Sequence, residues 1–563
     1  MKKYFIIALA ALGFAACAEK MNDGPSPEQT GELEQSYIAI NLMSSELDTR
    51  ADDQAPTLND GDLSDGIAAE HAVNTVHFFF FRQGAPFAVN AFPGTAPGGT
   101  RNWQQATNVT FNDDLDNENI SKESNVVLVL NNYKGQHPDQ VVAVINWTPV
   151  DDFYTLDELR ETLLDLQVNG FVMSNSVYRS GEGKVINATD IPGTYPTEAE
   201  AKADGHPVDI YVERIAAKVT VNTPTATIDG KWDAGKQWFD TGETSGLTTV
   251  GESQEKVYVK IENWSLFNAH TKSNLIKSID PSWTDDALGL NWNDSPRFRS
   301  YWAAADTYTG SSDDYINKNV FNWTNGELLG GALYCGENTA PSAEARTKLI
   351  LKGKLVDAKD NSLELVKWNG QEMVKVENLK KAVAAQLQYL VYSYTYTSQD
   401  DKTTYTYSPI TYEDIECISG ANDGAPDNVK KYQVFFQLKT GLNKNWAVKS
   451  GDEWVYKDDS QLNTYLSENI LPATVYADGQ TYYYVDIKHL GTAGNKAEYG
   501  IVRNHIYDIE IQSIKGYGTP VFIPGEDIVV PETPIEEEGV YVAAKINVLS
   551  WRVVKQGVNI AVQ

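Results

Sequence analysis

Cysteine is scarce in this sequence: only three of its 563 residues are cysteines. One of them, Cys17, ends an N-terminal apolar segment, so Cys335 and Cys417 are the two that remain for the rest of the chain. Two cysteines cannot build the disulfide framework of a small secreted domain, whereas a chain of this length can bury real hydrophobic cores. The sequence leaves open whether Cys335 and Cys417 pair with each other.

Basic residues are also under-represented. The chain has 46 Lys and Arg against 77 Asp and Glu, which gives a net charge of −31. Nucleic acids and anionic membranes are bound by basic surfaces, and we therefore expect neither as a partner. An acidic surface instead keeps a surface protein soluble and limits non-specific association.

Long hydrophobic runs are missing as well. The apolar residues 4–16 follow Lys2 and Lys3 and are too few to span a bilayer, which is typical of a secretory signal peptide over residues 1–16. The segment ends in FAAC, which resembles the lipobox of bacterial lipoproteins, whose cysteine is acylated and becomes the new N-terminus. We therefore expect Cys17 to be lipidated. The alternative is an ordinary signal peptide with a coincidental cysteine.

Recognisable catalytic and metal-binding motifs are absent from the sequence. The seven histidines show no HExxH or other metal-ligand spacing. In the acidic stretch FNDDLDNENISK, Asn119 replaces the turn glycine of a calcium loop, and Asn125 stands where the bidentate glutamate belongs. No GxSxG elbow, phosphate-binding loop or CxxC pair is present. We therefore predict a non-enzymatic protein without metal or cofactor.

Short β-branched and aromatic runs, separated by polar turns, are what the sequence does contain. They predict an all-β chain of sandwich type with few helices. One helix is predicted over 155–166, where Thr155 and Glu158 form a capping box, and a second over 376–390. We predict an N-terminal β-sandwich over 51–210, a C-terminal β-sandwich over 211–515 and a proline-rich acidic connector over 516–539.

The first strand-like segment lies upstream of an isolated arginine. Residues 36–43 alternate with Ile38, Ile40 and Leu42 on one face, as a half-buried strand does. The polar stretch that follows contains Arg50 and Ala51 in the sequence DTRADD, which suits cleavage by a protease. If residues 36–43 fill a groove, cleavage there releases them and leaves a template for strand addition.

The most strand-like stretch is found at the other end, over residues 540–563. Apolar residues alternate to Val548 and change parity at Leu549, which predicts a bulge or bend between two short strands. We expect this tail to reach the next molecule rather than fold back, so that head-to-tail contacts build a fibre. The candidate donor residues are Val542, Ala544, Ile546, Val548, Leu549, Trp551, Val553, Val558 and Ile560.

Ordered motifs along the whole chain resemble one family. They are LGFAAC at the signal end, VVAVINW (141–147), GFVMSN (170–175), VERIAAKVTV, FRSYWA (298–303), YCGENT (334–339), YGIVRNHIYDIEI (499–511) and the terminal VLSWRVV. In this order they resemble the major-subunit fimbrillins of the type V pili of Gram-negative Bacteroidia, particularly the short-fimbria subunit.

The resemblance implies two transthyretin-like β-sandwich domains, export as an outer-membrane lipoprotein, and a mature form in cell-surface fimbriae that support adhesion and biofilm formation. It also implies a lipidated propeptide (17–50), cleavage between Arg50 and Ala51 by an arginine-specific protease, and donor-strand exchange through 540–563. The partners it implies are identical subunits, anchor and tip fimbrial proteins, and ligands on host or bacterial surfaces.

A monomeric surface lipoprotein that binds glycans is the alternative function. Its basis is the abundance of Trp and Tyr, with 13 and 30 residues. Aromatic residues at strand spacing more often belong to a sandwich core than to a sugar-binding surface. We therefore expect the fimbrial function over the glycan-binding one.

Overall fold

The computed structural model shows a chain built mainly of β-strands, and the all-β prediction is confirmed. The two transthyretin-like domains and the boundaries given above remain predictions. The residues that the structure describes are 33–45, 68–89, 101–106, 109, 120–133, 136–168, 170–176, 178–179, 185–246, 253–277, 315–316, 320–321, 326–338, 345–430, 433–489, 499–520, 528–529 and 541–550.

The N-terminal part of the chain forms one nine-stranded sheet with the order β3-β2-β6-β8-β12-β1-β5, while β4 and β11 pair with β2 and β6. Buried residues from both ends of this order share one core, so the sheet curls around its own apolar face. Its elements, the two helices and the three short companion strands β7, β9 and β10 are β1 (Leu33–Ser45), β2 (Val76–Arg82), β3 (Ala85–Pro86), β4 (Trp103–Ala106), β5 (Ile120–Tyr133), β6 (Gln140–Ile145), α1 (Leu156–Glu161), β7 (Leu163–Asp165), β8 (Met173–Asn175), β9 (Tyr178–Arg179), β10 (Val185–Ile186), β11 (Thr189–Asp190), α2 (Glu198–Ala201) and β12 (Val208–Arg214).

Helix α1 begins as predicted but ends early. Thr155 and Glu158 form the capping box, with the Glu158 amide donating to the Thr155 hydroxyl at 3.1 Å. The helix ends at Glu161 instead of 166 because the next residues form β7, which pairs with Lys272–Asn274. Strand pairing with a distant segment therefore overrides a leucine pattern that is helical when taken alone.

The chain leaves the N-terminal sheet after β12 and enters a second sheet within three residues. Ile215 and Ala216, at this crossing, are fully buried with Leu275, Ile276 and residues of the outer face of β2 and β6. The strands between residues 217 and 356 are β13 (Ala217–Asn222), β14 (Trp232–Asp233), β15 (Trp238–Ser245), β16 (Glu255–Phe267), β17 (Ala269–His270), β18 (Lys272–Asn274), β19 (Tyr315–Ile316), β20 (Val320–Phe321), β21 (Ala332–Cys335) and β22 (Lys348–Val356).

A segment between β22 and the strands that return to the sandwich forms a unit with its own hydrophobic core, which we call the inserted unit. Five of its strands form one sheet, four form another, and two helices pack between them. The helix predicted over 376–390 ends at Leu387. The elements are β23 (Leu365–Trp368), β24 (Gln371–Val374), α3 (Val376–Leu387), β25 (Val391–Gln399), β26 (Lys402–Pro409), β27 (Ile415–Ser419), β28 (Gln433–Leu438), β29 (Asn445–Ser450), β30 (Glu453–Lys457), α4 (Asp459–Asn469) and β31 (Ala473–Tyr476).

The returning strands complete a sandwich of two sheets, ordered β21-β13-β33-β36 and β14-β15-β16-β22-β32-β34. Apolar side chains from both sheets interdigitate in a single core that contains the fully buried Trp264. Three short 3-10 turns lie at Ala68–His71, Tyr412–Asp414 and Ala477–Gly479. The last strands are β32 (Gln480–Asp486), β33 (His505–Lys515), β34 (Thr519–Pro520), β35 (Ile528–Val529) and β36 (Tyr541–Ser550).

Candidate functional site

The first strand, β1, occupies a central position in the N-terminal sheet. It is antiparallel to β5, with Leu33 opposite Tyr133 and Ser44 opposite Lys122. On its other side it is parallel to β12, and Ile40 pairs with Val208. Both backbone edges of β1 are therefore hydrogen-bonded to the same domain that it would leave on cleavage.

The inward side of β1 is part of the domain core, as its alternation predicts. Ile38 is 1% exposed and Ile40 is 0% exposed. They lie opposite Leu128 and Val126 of β5. Leu42 pairs with Ile210 through its backbone. At about 1.5–3 kcal/mol for each fully buried isoleucine, β1 contributes several kcal/mol of apolar burial in addition to its hydrogen bonds.

Removal of β1 would open a defined groove between β5 and β12. The groove has an apolar floor and, along each wall, the backbone groups that β1 had paired. Unpaired ladder groups next to an apolar floor are the template for β-strand addition. We call this space between β5 and β12 the β1 groove. The apolar side chains that line it from the two walls are Val126, Leu128 and Leu130 of β5 and Val208, Ile210 and Val212 of β12.

The last described strand, β36, folds back on its own chain. It lies antiparallel to β33 at the edge of the sheet, with Val542 opposite Ile514 and Ile546 opposite Ile509. The expectation that this strand would not return to its own domains is therefore wrong. The residues opposite Val542, Ala544, Ile546 and Val548 are all members of the sandwich core.

The bulge predicted at Leu549 is also wrong within the described strand. Leu549 and Ser550 continue the regular pairing, opposite Ile506 and His505. The register shifts instead on the partner strand, between Ile511 and Ser513. The parity change in the sequence therefore lies inside a continuous strand, in which Val548 and Leu549 are both paired. The other candidate donor residues, Trp551, Val553, Val558 and Ile560, lie outside the described residues, as do Cys17, Arg50 and Ala51.

The two remaining cysteines are both free thiols. Cys335 belongs to the sandwich core, whereas Cys417 packs against the core of the inserted unit. Burial raises the pKa of each thiol to about 12, which keeps both in the unreactive protonated form.

A buried ion pair and buried hydrogen bonds connect β12, one wall of the β1 groove, to residues outside the N-terminal sheet. The Lys277 ammonium lies 3.0 Å from the Glu213 carboxylate, and both side chains are at most 3% exposed. The neighbouring Arg214 donates to the Glu70 carbonyl oxygen at 2.8 Å and to the Asn504 side-chain oxygen at 3.1 Å. Burial lowers the pKa of Arg214 to about 9. Breaking one such pair typically costs about 3–5 kcal/mol, because the other charge stays buried.

These buried polar contacts were not predicted from the sequence. Their signal is the run IYVERIAAKVTV, where the charged residues Glu213, Arg214 and Lys218 interrupt strand-like residues. Charges at such positions need buried partners. The partners come from residues far apart in sequence, such as Lys277 and Asn504, and nothing local identifies them.

The described residues contain no group of three or more His, Cys, Asp or Glu side chains arranged to hold a metal ion. Within the same ranges, no helix has the length and apolarity needed to cross a membrane.

Comparison with known proteins gives one family match. Residues 474–557 match the family described as major fimbrial subunit protein type IV, fimbrillin, C-terminal. This region contains β32, β33 and β36, and therefore includes the last strand together with the strand on which it lies. Among curated proteins, no sequence matches the chain.

Solved structures with similarity to the chain include three fimbrial proteins. A fimbrilin (fimA) from Porphyromonas gingivalis is 13% identical with a TM-score of 0.37, and the match covers 92% of this chain and 98% of that one. The tip fimbrial protein Mfa3 from the same organism is 10% identical with a TM-score of 0.28, over 92% and 100% of the two chains. A fimbrial assembly protein from Parabacteroides distasonis is 10% identical with a TM-score of 0.23, over 75% and 99%.

The family match covers 84 of the 563 residues of the chain. Residues 474–557 are thus similar to the C-terminal region of fimbrillins, as the resemblance of the ordered motifs predicts.

Proposed function

We propose that the protein is the structural subunit of a cell-surface fimbria, and that it polymerises by exchanging its first strand for the C-terminal strand of the next subunit. The single observation that carries the proposal is the place of β1. It is paired on both edges and buried on its inward face, yet it lies directly upstream of Arg50. The fimbrillin C-terminal region supports the same function.

The position of the cleavage site suits complete release of the strand. β1 ends at Ser45, so a cut between Arg50 and Ala51 lies beyond its last paired residue. The released fragment then contains the whole strand. The domain keeps the β1 groove, because both of its walls are downstream of the cut. Until cleavage, β1 prevents polymerisation by occupying the groove.

The tail has the properties that a replacement strand needs. β36 spans Tyr541–Ser550 and alternates apolar residues, with Val542, Ala544, Ile546 and Val548 at every second position. That period matches a groove with one apolar face. Each subunit offers one groove and one tail at different places, so the contact is head-to-tail and extends into a fibre.

The processing and the partners follow from this assembly. We propose that Cys17 is acylated during export to the outer membrane and that an arginine-specific protease removes residues 17–50. Identical subunits form the stalk, with anchor and tip fimbrial proteins at its ends, and the fibre supports adhesion and biofilm formation without enzymatic activity. A stalk subunit needs both a cleavable first strand and a donor tail, and the chain has candidates for both.

The N-terminal residue of the protein at the cell surface tests this proposal. Fimbriae sheared from cells and analysed by intact-mass and N-terminal peptide mass spectrometry are expected to begin at Ala51. A surface form that begins at acylated Cys17 would contradict the proposal and would favour a monomeric lipoprotein.

A further inference from the structure

One face of the inserted unit exposes aromatic rings, although most large apolar side chains of the described residues are buried. Of the eleven exposed large hydrophobic residues, three lie on one side of the four-stranded sheet β26-β25-β29-β30, namely Tyr396, Tyr405 and Tyr456. Three more, Tyr389, Leu390 and Val455, lie next to this sheet or on its other side. Exposed apolar surface that is concentrated in one place marks a binding surface more often than scattered residues do. This concentration needs an explanation that strand exchange does not give.

The strand register places the rings on one side of the sheet. Tyr394 lies opposite Tyr407, and Tyr396 lies opposite Tyr405. Trp454 and Tyr456 of β30 lie opposite Lys449 and Ala447 on the same side. The other side holds Val391, Trp446 and Val448, which pack in the core of the unit. We call the outward set the tyrosine face; its members are Tyr394, Tyr396, Tyr405, Tyr407, Trp454 and Tyr456.

The rings form a continuous platform. The rings of Tyr407 and Trp454 stack with centroids 3.8 Å apart and planes inclined by 5°. Tyr405 contacts both Tyr407 and Tyr456, at centroid distances of 6.2 and 5.6 Å. The hydroxyls of Tyr407 and Tyr456 hydrogen-bond to each other at 3.0 Å, which places polar groups among the ring surfaces.

Exposure distinguishes these tyrosines from the core tyrosines. Tyr396, Tyr405 and Tyr456 are 59%, 42% and 45% exposed. Tyr476 and Tyr483 of the sandwich are at most 2% exposed, and their hydroxyls donate to backbone carbonyls of the same domain. The core tyrosines therefore serve the fold, whereas the tyrosine face leaves ring surface in contact with solvent.

The charge of the face restricts what it can bind. The chain carries a net charge of −31, yet the positions that the register places on this side include no carboxylate. The one charged side chain is Lys449, whose ammonium lies 5.8 Å from the centre of the Trp454 ring. An uncharged ligand can cover such a face without desolvating an acid.

We propose that the tyrosine face binds neutral polysaccharide. Pyranose rings present flat arrays of C–H groups that can cover aromatic rings, and they present hydroxyls that can exchange hydrogen bonds with phenol groups. The face is an open sheet surface, which suits an extended sugar chain. The inference is independent of strand exchange, because the β1 groove and the tail contribute no residue to this face.

Affinity electrophoresis of the purified full chain tests the proposal. Native gels contain one neutral polysaccharide each (dextran, mannan, arabinoxylan or mixed-linkage β-glucan), and a parallel gel contains the acidic polygalacturonate. We expect at least one neutral polysaccharide to retard the protein. The double variant Tyr405→Ala/Tyr456→Ala should bind at least about tenfold more weakly, and Tyr389→Ala, an exposed tyrosine just before β25, should bind as the unaltered chain does.

Loss of binding through unfolding is separated from loss of the surface by a second variant. Tyr396 is the most exposed residue of the tyrosine face. The variant Tyr396→Ala should therefore weaken polysaccharide binding while the melting temperature stays unchanged. Quenching of Trp454 fluorescence by the bound polysaccharide, absent in Trp454→Phe, gives a readout at the face itself. No retardation by any neutral polysaccharide, retardation by polygalacturonate alone, or equal binding by the double variant would overturn the proposal.

Discussion

The first and last described strands have opposite places in their sheets. β1 lies between β5 and β12 and is hydrogen-bonded on both edges, whereas β36 lies at the edge of its sheet and pairs with β33 alone. Since each net hydrogen bond contributes about 0.5–1.5 kcal/mol, a strand with two ladders is held more firmly than one with a single ladder. The difference supports the proposed exchange. A tail that moves from an edge position into the gap left by β1 would gain backbone hydrogen bonds along its second edge.

The difference also explains why export can precede assembly. Before cleavage, the central gap is filled by β1 and the tail rests on its own edge, so each strand has a place within the monomer. In the proposed mechanism, cleavage removes β1 and opens a position in which the tail would be paired on both edges. The ion pair of Glu213 with Lys277 and the hydrogen bonds of Arg214 do not involve β1, so they would hold the β12 wall in position in an empty groove.

Removing the tail is expected to have the largest effect. A chain that lacks residues 540–563 should fold and be processed but form no fibres, because no strand remains to fill the next groove. SDS-resistant ladders on unboiled gels and negative-stain electron microscopy measure the loss. The matched pair Ile546→Lys and Asn547→Lys sharpens the test, since Ile546 lies opposite buried Ile509 and Asn547 opposite Asp508. Ile546→Lys should impair assembly and Asn547→Lys should not; ladders that persist without the tail would contradict the account.

Blocking cleavage near the N-terminal end of the chain should also prevent assembly. In Arg50→Ala the strand β1 stays in its groove, so the protein should remain monomeric and keep the N-terminus at Cys17. Gel filtration and mass spectrometry of the membrane fraction measure both properties. Arg82→Ala, an exposed arginine at the end of β2, is the matched control and should assemble normally. Fibres formed by Arg50→Ala would mean that release of β1 is unnecessary.

Weakening β1 should affect only the precursor. Ile40→Ala removes a fully buried side chain, and this type of change costs about 2–5 kcal/mol. Urea unfolding should show this loss before cleavage and none afterwards, because the residue then no longer belongs to the molecule. Gln35→Ala, at an exposed position of the same strand, should change neither form. An equal loss in both forms would show that β1 is retained.

Acid should weaken the sandwich sheet on which the last described strand lies. Burial lowers the pKa of His505 in β33 and of His270 in β17 to about 4 in the folded state. The pKa of a histidine in the unfolded chain is about 6.5. The contribution of these neutral histidines to the free energy of unfolding is therefore fully present above pH 6.5 and is lost as the pH falls towards 4. Each histidine should lower the free energy of unfolding by about 1.4 kcal/mol per pH unit in that window.

The acid effect is checked by urea unfolding at pH 7, 6 and 5. His505→Gln should remove the share of one histidine from the slope, and an unchanged slope would show that His505 is not neutral in the folded protein. The apolar side chains that line the β1 groove are Val, Ile and Leu, and none of them is titratable. We therefore expect acid to weaken the binding of the tail to β33 more than its binding in the β1 groove.

Patterns with local causes could be predicted from the sequence. The alternation of Ile38 and Ile40 predicts a half-buried strand, and the Thr155–Glu158 pair predicts the start of α1, because each pattern depends on residues that are near neighbours. The all-β class follows from composition and run length in the same way. The β1 groove could be expected in outline, because release of a buried strand at a candidate protease site would leave an empty groove in its sheet.

Features that depend on distant partners could not be predicted. Leu163 and Leu164 fit a helix, and only their pairing with β18 makes them a strand. The self-docked position of β36 depends on β33, which lies beyond a proline-rich connector. The inserted unit requires pairing among nine strands whose order no local pattern gives. The aromatic residues were expected in cores, and the exposed tyrosine face became visible only when the strand register was known.

The most direct test of strand exchange is a disulfide cross-link between one subunit's groove and the next subunit's tail. Val127 of β5 lies opposite Ala39 of β1, and the two native thiols are inward in separate cores, so they give little background. Val127→Cys is combined with single cysteines at Ala543, Lys545 or Asn547, and fibres are oxidised and run on non-reducing gels. At cross-strand distances that a disulfide can bridge, at least one pair should give covalent ladders, whereas the neighbouring positions Ala544 and Ile546 should not. Fibres that assemble but yield only uncross-linked monomer with every pair would contradict strand exchange.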